Sequence, residues 1–374
     1  MKNILITGGA GFIGKRLIEK LGGTLELKIS VLDNLDKQIH GLNPDIEYFK
    51  KNTNFIVGDV RNEDLVETLV SKADSIIHLA AQTGTGQSMY QIRNYTDVNC
   101  MGTAVLMEAV SKHKSNVAKV VVASSRAVYG EGKYTCATHG VQYPGQRNDA
   151  EMKSGIFNPV CPICNSQLAP LPTDESSPVK PVSVYGLSKY YQEELVKIAC
   201  GSMQIPYTIL RFQNVYGAGQ SLKNPYTGIL SIFSSLILGD KKMNVFEDGL
   251  ESRDFICVDD ICDAIIQSLK DENANNQIFN VGLGQAVSVL DIIQYLAEAY
   301  EKKPEYFVSG NYRAGDIRHN YADISAIKNA IGFQPKVSLK EGIQKLADWV
   351  MTQPLETVAY EKSLSEMKEK KLYK

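Results

Sequence analysis

The 374-residue sequence has no apolar run long enough to cross a bilayer, no excess of either charge and no regular cysteine framework. A membrane-spanning helix needs about 20 consecutive apolar residues, so we expect no membrane partner. Lysine and arginine total 40 against 42 acidic residues, a net charge of −2, which does not favour nucleic acid as a partner. Irregular cysteines and the lack of a secretory signal predict a cytoplasmic protein with mostly reduced thiols.

A glycine-rich turn follows the first predicted strand. The apolar residues 3–7 are typical of a buried parallel strand, and residues 15–21 have helical spacing. Between them, Gly8, Gly11 and Gly14 allow a tight turn, the close approach of a pyrophosphate and packing of the helix on the strand. The helix N-terminus offers its N–H groups to the phosphates. An ordinary glycine-rich loop is the alternative, but the flanking strand and helix favour a dinucleotide site.

The second predicted strand, residues 28–33, ends in an acid, Asp33. A carboxylate there accepts hydrogen bonds from the adenosine ribose and repels a 2′-phosphate, so Asp33 favours NAD over NADP; a turn or capping aspartate is the alternative. Further strands are predicted at residues 55–60, 75–81, 117–130 and 207–217, with helical segments between them, and His78 is interpreted as a hydrogen-bonded core residue. This alternation predicts an α/β fold with a Rossmann-type, doubly wound parallel sheet.

Tyr185 and Lys189 are four residues apart at the start of a predicted helix, and so lie on one helical face. A nearby ammonium stabilises a phenolate, which makes the tyrosine a candidate general base. The pair alone is a weak signal, because many helices contain it by chance. Ser124 and Ser125 end the fifth predicted strand, where ligands of such sheets bind.

Several motifs occur in one order: Thr-Gly-Gly-Ala-Gly-Phe-Ile-Gly, Asp33, His-Leu-Ala-Ala, Ser-Ser-x-x-Val-Tyr-Gly, Tyr-x-x-x-Lys and Arg-Phe-x-Asn-Val-Tyr-Gly. Together they resemble the extended short-chain dehydrogenase/reductase family of nucleotide-sugar epimerases and dehydratases, over most of the chain. The resemblance implies that Tyr185 is the base on a sugar hydroxyl, that Ser125 orients this hydroxyl and that Lys189 binds the nicotinamide ribose. The implied NAD contacts are Gly8, Gly11, Phe12, Ile13, Gly14, Asp33, Asn34, Asp59, Val60, Leu79, Ala80, Ala81, Asn99, Ser124, Tyr185 and Lys189.

The sequence departs from the dehydratase pattern at the end of the fifth strand. Relatives that remove water have a sequence like Thr-Asp-Glu-Val-Tyr-Gly at this position, because dehydration needs a further acid and a further base. Residues 125–130 of this chain read Ser-Arg-Ala-Val-Tyr-Gly and contain neither carboxylate. They also lack the glutamate of decarboxylating relatives. The remaining chemistry is oxidation and return of a hydride at one carbon, which is epimerisation or ketoreduction.

Residues 134–172 form an insertion that the core fold does not require. It contains Cys136-x-x-His139 and Cys161-x-x-Cys164, and three thiolates with one imidazole suit a tetrahedral structural zinc. Zinc would hold together a zinc-ribbon-like loop that is poor in apolar residues; a disulfide or unbound side chains are the alternatives. The insertion, residues 82–90 and Ser-Ser-Arg-Ala-Val-Tyr-Gly-Glu-Gly together look most like the dTDP-L-rhamnose 4-epimerases within the family.

The C-terminal half is expected to form a smaller lobe that binds the substrate. The predicted organisation is an NAD-binding domain at 1–185, its continuation at 186–217, the substrate lobe with return segments at 218–352 and a charged, solvated tail at 353–374. Guanidinium groups suit a diphosphate because they are forked, permanently charged donors, although surface ion pairs are the commoner role. The resemblance to the family, with the position of residues 83–90 after the fourth strand, implies these substrate contacts: Thr83, Ser88, Ser125, Arg126, Tyr185, Asn214, Arg253, Arg313 and Asp316.

The sequence therefore predicts an NAD-dependent 4-epimerase of a nucleotide-linked sugar, acting on dTDP-L-rhamnose or a related dTDP-6-deoxyhexose through a 4-keto sugar. The alternatives are a UDP-hexose 4-epimerase, a CDP-sugar 2-epimerase and a nucleotide-sugar 4-ketoreductase. A non-enzymatic dinucleotide sensor would be expected to have lost Tyr185 or Lys189. The resemblance also implies a homodimer formed through helices that flank the sheet, including the helix of Tyr185.

Overall fold

A parallel sheet of seven strands forms the centre of the protein in a computed structural model, which describes residues 2–22, 27–42, 44–222, 224, 226, 228–313, 315–354 and 360–374. The strand order across the sheet is β7-β6-β5-β4-β1-β2-β3, and all neighbours are parallel. The order reverses beside β1, and ligands of such sheets bind at that point. The strands are β1 Asn3–Thr7, β2 Lys28–Asp33, β3 Asn54–Val57, β4 Ser75–His78, β5 Lys119–Ser125, β6 Tyr207–Phe212 and β7 Gln277–Val281.

Helices cover both faces of this sheet and build a further layer. The longest, Val184–Met203, is called the tyrosine helix here; it begins where the Ser183 hydroxyl accepts a hydrogen bond from the N–H of Gly186 at 3.0 Å. The other α-helices are Phe12–Leu21, Lys37–His40, Glu47–Asn52, Glu63–Val70, Thr85–Ser88, Ile92–Tyr95, Gly102–Lys112, Asp149–Lys153, Ile229–Leu238, Val258–Lys270, Val289–Tyr300, Ser325–Ile331, Leu339–Met351 and Tyr360–Glu369, with a π-helical segment at Thr96–Met101 and 3-10 turns at Arg126–Tyr129 and Glu272–Ala274.

Short strands form four smaller sheets. The insertion has its own antiparallel sheet, in which Tyr134–Cys136 lies between Gly140–Gln142 and Ala169–Pro170. The remaining sheets pair Asn214–Tyr216 with Phe255–Cys257, Met243–Val245 with Tyr306–Val308, and Ser252–Arg253 with both Val287–Ser288 and His319–Asn320.

Alternating apolar side chains bury both faces of the central sheet. Ile4, Ile6 and Val121 belong to one hydrophobic cluster, whereas Leu5 and Val120 belong to the cluster on the other face. This arrangement follows from the two-residue period of a strand. A third cluster lies among the helices Ile229–Leu238, Val289–Tyr300 and Leu339–Met351. Among the described residues, no helix is long and apolar enough to cross a membrane.

Four predicted strands are shorter in the structure. The strands β3, β4 and β5 end at Val57, His78 and Ser125, and the residues that follow them line a cavity. The sixth predicted strand divides, because the N–H of Gln213 donates to Val281 in the central sheet while that of Asn214 donates to Asp254. The strand β7 was not predicted at all.

The charged C-terminal end forms a helix with many exposed residues, as the sequence predicts, but one side of it docks on the protein instead of being solvated. Residues 355–359 lie outside the described residues, but Met367 is buried, and the Glu366 carboxylate accepts hydrogen bonds from Tyr90 and Tyr226. The Tyr373 ring packs edge-to-face on Phe246, with ring centroids 5.3 Å apart. Apolar and aromatic side chains within a charged sequence therefore dock this segment on the rest of the protein.

Candidate active site

A cavity of about 800 Å³ opens at the carboxyl ends of the central strands. Its wall joins the turn after β1, the ends of β2, β4 and β5, and the first turn of the tyrosine helix. Predicted cofactor residues in the wall are Gly8, Gly11, Phe12, Ile13, Gly14, Asp33, Asn34, Asp59, Val60, Leu79, Ala80, Ala81, Ser124, Tyr185 and Lys189. Predicted substrate residues in the wall are Thr83, Ser125, Arg126, Tyr185 and Asn214.

The glycine turn leaves no room for side chains. Gly8 has φ +69°, and a Cβ added there would lie 2.6 Å from the backbone nitrogen of Ala80. A Cβ added at Gly14 would lie 2.5 Å from the backbone of Gly9. The exposed N-terminus of helix Phe12–Leu21 borders the cavity at Gly11. This cradle fits the pyrophosphate of a dinucleotide.

Asp33 marks the other end of the dinucleotide site. Its carboxylate accepts hydrogen bonds from the N–H groups of Ala10 at 3.0 Å and Leu35 at 2.9 Å, which fix it at the cavity wall. Asn34 donates to the Asp59 carboxylate at 3.2 Å. A fixed carboxylate here suits ribose hydroxyls and not a 2′-phosphate, so these residues fit NAD.

Tyr185 is held by its backbone and lies in the cavity wall with Ser125 and Arg126. Its N–H donates to the Ser88 hydroxyl at 3.0 Å. Burial raises the pKa of Tyr185 above its ordinary value, while the Ser125 side chain and the Arg126 charge oppose this rise. Arg126 is therefore a cation that favours the phenolate.

Lys189 belongs to a buried polar network behind the tyrosine. Its ammonium donates to the Gln192 amide oxygen at 2.7 Å, and the Gln192 amide nitrogen donates to Thr103 at 2.6 Å. Burial lowers the pKa of Lys189 to about 8. His78 lies between Thr7, at 2.7 Å, and Thr103, at 3.0 Å, as expected for a packed core histidine.

Asn99 and Ser88 are not part of the cavity wall. The Asn99 amide is fully buried, accepts from the N–H of Gln82 at 2.7 Å and donates to Ser188 at 2.9 Å. The Ser88 hydroxyl donates to the Thr85 carbonyl at 2.6 Å and accepts from Tyr185. The sequence predicts ligand contacts for both, but their polar atoms are used to position the backbone around the site.

Arg253 and Asp316 pair with each other beside the cavity. Arg253 donates to the Asp316 carboxylate at 2.8 Å and to the carbonyls of Ser252, Ile317 and Arg318. Four of its five donors are thus used within the protein. Arg313 borders a separate cavity of about 110 Å³, where its guanidinium lies 4.5 Å from the centroid of the Phe246 ring. Of these three predicted substrate residues, Arg313 lines the smaller cavity, whereas Arg253 and Asp316 are in the wall of neither cavity.

Arg126 is the cation beside the reacting residues. Its Nε donates to the Asn214 amide oxygen at 3.0 Å. Burial, and then the Arg253 charge, lower the pKa of Arg126 to about 10, so it remains cationic near neutral pH. Among described residues, the only carboxylates in the cavity wall are Asp33, Asp36 and Asp59, which lie at the dinucleotide end. No second acid or base of the dehydratase kind stands beside Tyr185 within that set.

The sequence profile of the NAD-dependent epimerase/dehydratase family matches residues 4–148 and 164–282, which is most of the chain. The chain belongs to this family. The gap in the match, residues 149–163, falls inside the Cys/His-rich insertion. The Rossmann-like α/β fold with a large parallel sheet and the family predicted from the motifs are both confirmed.

Members of the epimerase/dehydratase family resemble this chain over nearly their full length. The dTDP-L-rhamnose 4-epimerase of Burkholderia thailandensis is 39% identical over 93% of this chain and 95% of its own. The structure of UDP-glucose 4-epimerase from Thermotoga maritima with UDP-glucose has a TM-score of 0.75 and 28% identity, covering 93% and 98% of the two chains. UDP-glucuronic acid 4-epimerase from Bacillus cereus, in complex with UDP-glucuronic acid and NAD, has a TM-score of 0.75 and 25% identity, covering 93% and 99%.

The insertion adds a metal-binding geometry to the family fold. The ligand atoms of Cys136, His139, Cys161 and Cys164 all lie within 4.8 Å of one another. The Cys136 sulfur is 3.7 Å from the Cys164 sulfur and 3.6 Å from the His139 Nδ1. A tetrahedral zinc with bonds of about 2.3 Å to sulfur separates its sulfurs by about 3.8 Å, whereas a disulfide requires about 2.05 Å. The spacing fits zinc and not a disulfide.

The sequence reasoning missed buried ionic groups that hold the site together. Glu193 binds Arg211 through both carboxylate oxygens, at 2.6 and 2.9 Å, and accepts a hydrogen bond from Ser124 at the cavity wall. Glu131 and Arg318 are also buried and paired with residues far away in sequence. The position of Glu193 four residues after Lys189 is the one signal that could have indicated its role; the others have no local pattern.

Proposed function

We propose that the protein is an NAD-dependent 4-epimerase of a nucleotide-linked sugar, acting on dTDP-L-rhamnose or a related dTDP-6-deoxyhexose through a transient 4-keto sugar. The observation that carries the proposal is the joining of the glycine turn, Ser125, Tyr185 and Lys189 in one cavity that has Arg126 where dehydratases have carboxylates. The similarity to the Burkholderia enzyme supports the choice of substrate.

Tyr185 serves as the base on the sugar hydroxyl at carbon 4. Ser125, which lines the same cavity, holds this hydroxyl in line. Arg126 stabilises the phenolate that takes the proton, and the resulting Tyr185 phenol returns this proton when the keto sugar is reduced. NAD, when bound, supplies the oxidant that accepts a hydride and gives it back. Lys189, with Gln192 behind it, holds the nicotinamide ribose.

The nucleotide part of the substrate lies towards the smaller cavity. Arg126 and Asn214 bind from the main cavity, and Arg313, with the Arg253–Asp316 pair, from the other side. Because these residues hold the diphosphate, the keto sugar can rotate in the site without leaving it. In this proposal residues 1–185 and 186–217 form the NAD-binding part, and 218–352 form mainly the substrate lobe.

We also propose a structural zinc in the insertion. Three thiolates and one imidazole leave no open coordination position, which suits a structural metal and not a catalytic one. The Ser166 hydroxyl lies 3.0 Å from the Cys164 sulfur and 3.5 Å from that of Cys136, and such outer hydrogen bonds orient metal ligands. The same thiols favour a cytoplasmic location, where they remain reduced.

A homodimer is proposed on the evidence of an exposed apolar face. Leu187, Tyr191 and Ile198 are exposed on one side of the tyrosine helix, and Ile92 and Met101 are exposed on the chain segment that packs beside it. An unusually apolar surface on adjoining helices is typical of a protein interface. Two copies meeting there would pair the helices that carry Tyr185.

NMR of dTDP-L-rhamnose with the purified protein, without added reductant, tests the function. We expect an equilibrium mixture with the 4-epimer. Steady consumption of NADH with a 4-keto sugar would instead indicate a ketoreductase. Conversion only of UDP- or CDP-sugars would show that the nucleotide is wrong, and no conversion of any nucleotide sugar would contradict the epimerase proposal.

A further inference from the structure

The Cys/His-rich insertion carries a buried arginine to the substrate side of the molecule. Arg147 lies between the strand Gly140–Gln142 and the helix Asp149–Lys153, within the loop that the two ligand pairs close. Its side chain is only 4% exposed. A guanidinium that is buried to this degree needs charged and hydrogen-bonding partners around it.

Besides the Phe157 carbonyl within the insertion, at 3.3 Å, the partners of Arg147 come from three parts of the chain outside it. Its terminal nitrogens donate to both oxygens of Glu247 at 2.8 and 2.9 Å, and one of them also donates to the Asp316 carbonyl at 3.1 Å. Its Nε is 3.2 Å from the Glu131 carboxylate. Glu131 follows the turn after Ser125, while Glu247 follows the strand Met243–Val245. One guanidinium therefore connects the end of β5, the substrate lobe and the Asp316 segment.

Arg147 and Arg253 hold the same residue in different ways. Arg147 binds the backbone carbonyl of Asp316, and Arg253 binds its carboxylate at 2.8 Å. Burial would raise the pKa of Asp316, but Arg253, Arg313, Arg147 and Arg126 together lower it to about 2. The carboxylate is thus a fixed anion between Arg126 in the main cavity and Arg313 in the smaller one.

We propose that Arg147 is a positioning residue for the nucleotide part of the substrate. By fixing Glu247 and the backbone of Asp316, it sets where the Asp316–Arg253 pair stands relative to Arg126. The inference rests on the proposed function and deepens it, because affinity for a nucleoside diphosphate then depends on the insertion as well as on the Rossmann core.

Lysine cannot replace arginine in this position. The planar guanidinium binds both oxygens of Glu247 and reaches the Asp316 carbonyl with the same group. A lysine ammonium keeps the positive charge but has no forked geometry. The Arg147→Lys variant should therefore retain charge balance around Glu131 and Glu247 while losing the contact that positions Asp316.

The test uses full-length protein in its parent and Arg147→Lys forms. Calorimetric titrations with dTDP, UDP, GDP and CDP give the Kd of the best ligand, and turnover of dTDP-L-rhamnose gives KM and kcat. We expect that Kd and KM rise about tenfold in the variant, as for one lost charged hydrogen bond. NAD affinity and kcat should stay near the parent values, because Tyr185 and the glycine turn are untouched. The exposed Arg93→Lys variant is the matched control.

Unchanged Kd and KM in a folded Arg147→Lys protein would overturn the inference. A loss confined to kcat would also overturn it. An equal loss of NAD affinity and nucleotide affinity, together with a lower Tm, would indicate a merely structural role and would overturn it as well. If that variant does not fold, Asn158→Ala replaces it, because Asn158 connects the insertion to Arg318 at 2.7 Å; an unchanged Kd there also overturns the inference.

A failure of the proposed function can be told apart from a failure of this inference, because it is seen in the parent protein. A parent protein that prefers UDP, GDP or CDP, or does not convert dTDP-L-rhamnose, contradicts the proposed substrate, and the effect of Arg147→Lys is then judged on the preferred diphosphate. A parent protein that binds none of the diphosphates overturns both.

Discussion

At the scale of single residues, Arg126 adds to the environment of Tyr185 a charge that the Tyr-x-x-x-Lys motif does not include. The Lys189 ammonium donates to Gln192, and the Arg126 charge favours the phenolate. Arg126 lies at the end of the fifth strand, where relatives that dehydrate their substrate carry acidic residues. Arginine at this position leaves the site without the second acid or base, and its charge supports the one base that epimerisation needs.

Replacing Tyr185 by phenylalanine should abolish most of the turnover. The variant loses the proton acceptor but keeps the ring, so we expect kcat to fall by at least about 100-fold, the usual contribution of general base catalysis. NAD binding and Tm should change little. NMR rates and an NAD titration measure both effects, with Tyr306→Phe, exposed in the substrate lobe, as control. Turnover near the parent rate in Tyr185→Phe would remove the tyrosine from the mechanism.

Glu251 makes stability depend on pH. Burial, and then the Glu247 charge, raise the pKa of Glu251 from 4.5 to about 7, although Arg253 opposes this. Its Oε2 has no hydrogen-bond partner among the described residues. Because the folded-state pKa lies above the unfolded one, the folded protein holds a proton that the unfolded chain releases between these values. Stability therefore falls as pH rises from 4.5 to 7.

The Glu251→Gln variant should remove this loss. We expect it to exceed the parent in stability at pH 8, by up to about 3 kcal/mol, and to match the parent near pH 5. Denaturant unfolding at both pH values measures the difference, with the exposed Glu108→Gln as control. A difference that is the same at both pH values would show that Glu251 is not the titrating group.

At the scale of elements, the insertion is a small sheet beside which the four proposed zinc ligands lie together. The hydrophobic cluster that includes Tyr134, Cys136, Cys161 and Leu168 is small, and few buried apolar contacts cannot order a loop of this length without a covalent or metal constraint. The Arg147 loop depends on that constraint.

Removal of zinc should therefore weaken nucleotide binding without affecting NAD. We expect one zinc per chain, and after chelation a lower Tm and a higher Kd for dTDP with unchanged NAD affinity. Elemental analysis and titration of the chelated and reloaded protein measure these effects. The buried Cys200→Ser, far from the cluster, controls for loss of a thiol. Less than about half an equivalent of zinc in the purified parent would contradict the site.

At the scale of the whole molecule, the proposed dimer requires the apolar face of the tyrosine helix. Ile198 is 70% exposed and Leu187 is 57% exposed. An arginine at either position would bury a charge in the interface, so Ile198→Arg and Leu187→Arg should shift the protein to monomers. Sedimentation analysis measures the mass, and Leu42→Arg, exposed elsewhere, is the control. A parent protein that is monomeric at every concentration would exclude the dimer.

The sequence alone predicted the family and all strands of the central sheet except β7, whereas the reacting residues stay a prediction. The reason is local: the glycine turn, Asp33 and the Tyr185–Lys189 helix each lie within a few residues of a strand end, and the order of strands places those ends together. The two ligand pairs proposed for zinc were also visible in the sequence, because each pair lies on one short turn, and the structure brings the four side chains together.

Only the tertiary structure decided which charges act on which atoms. Asn99 and Ser88 bind the backbone around the site, and the charge of Arg126 acts on the phenol. The partners of Arg147 lie up to 169 residues away along the chain, and the C-terminal segment docks although its sequence is charged. Ion pairs and burial depend on distances between segments that no local pattern encodes, so these features follow from the fold and not from the motifs.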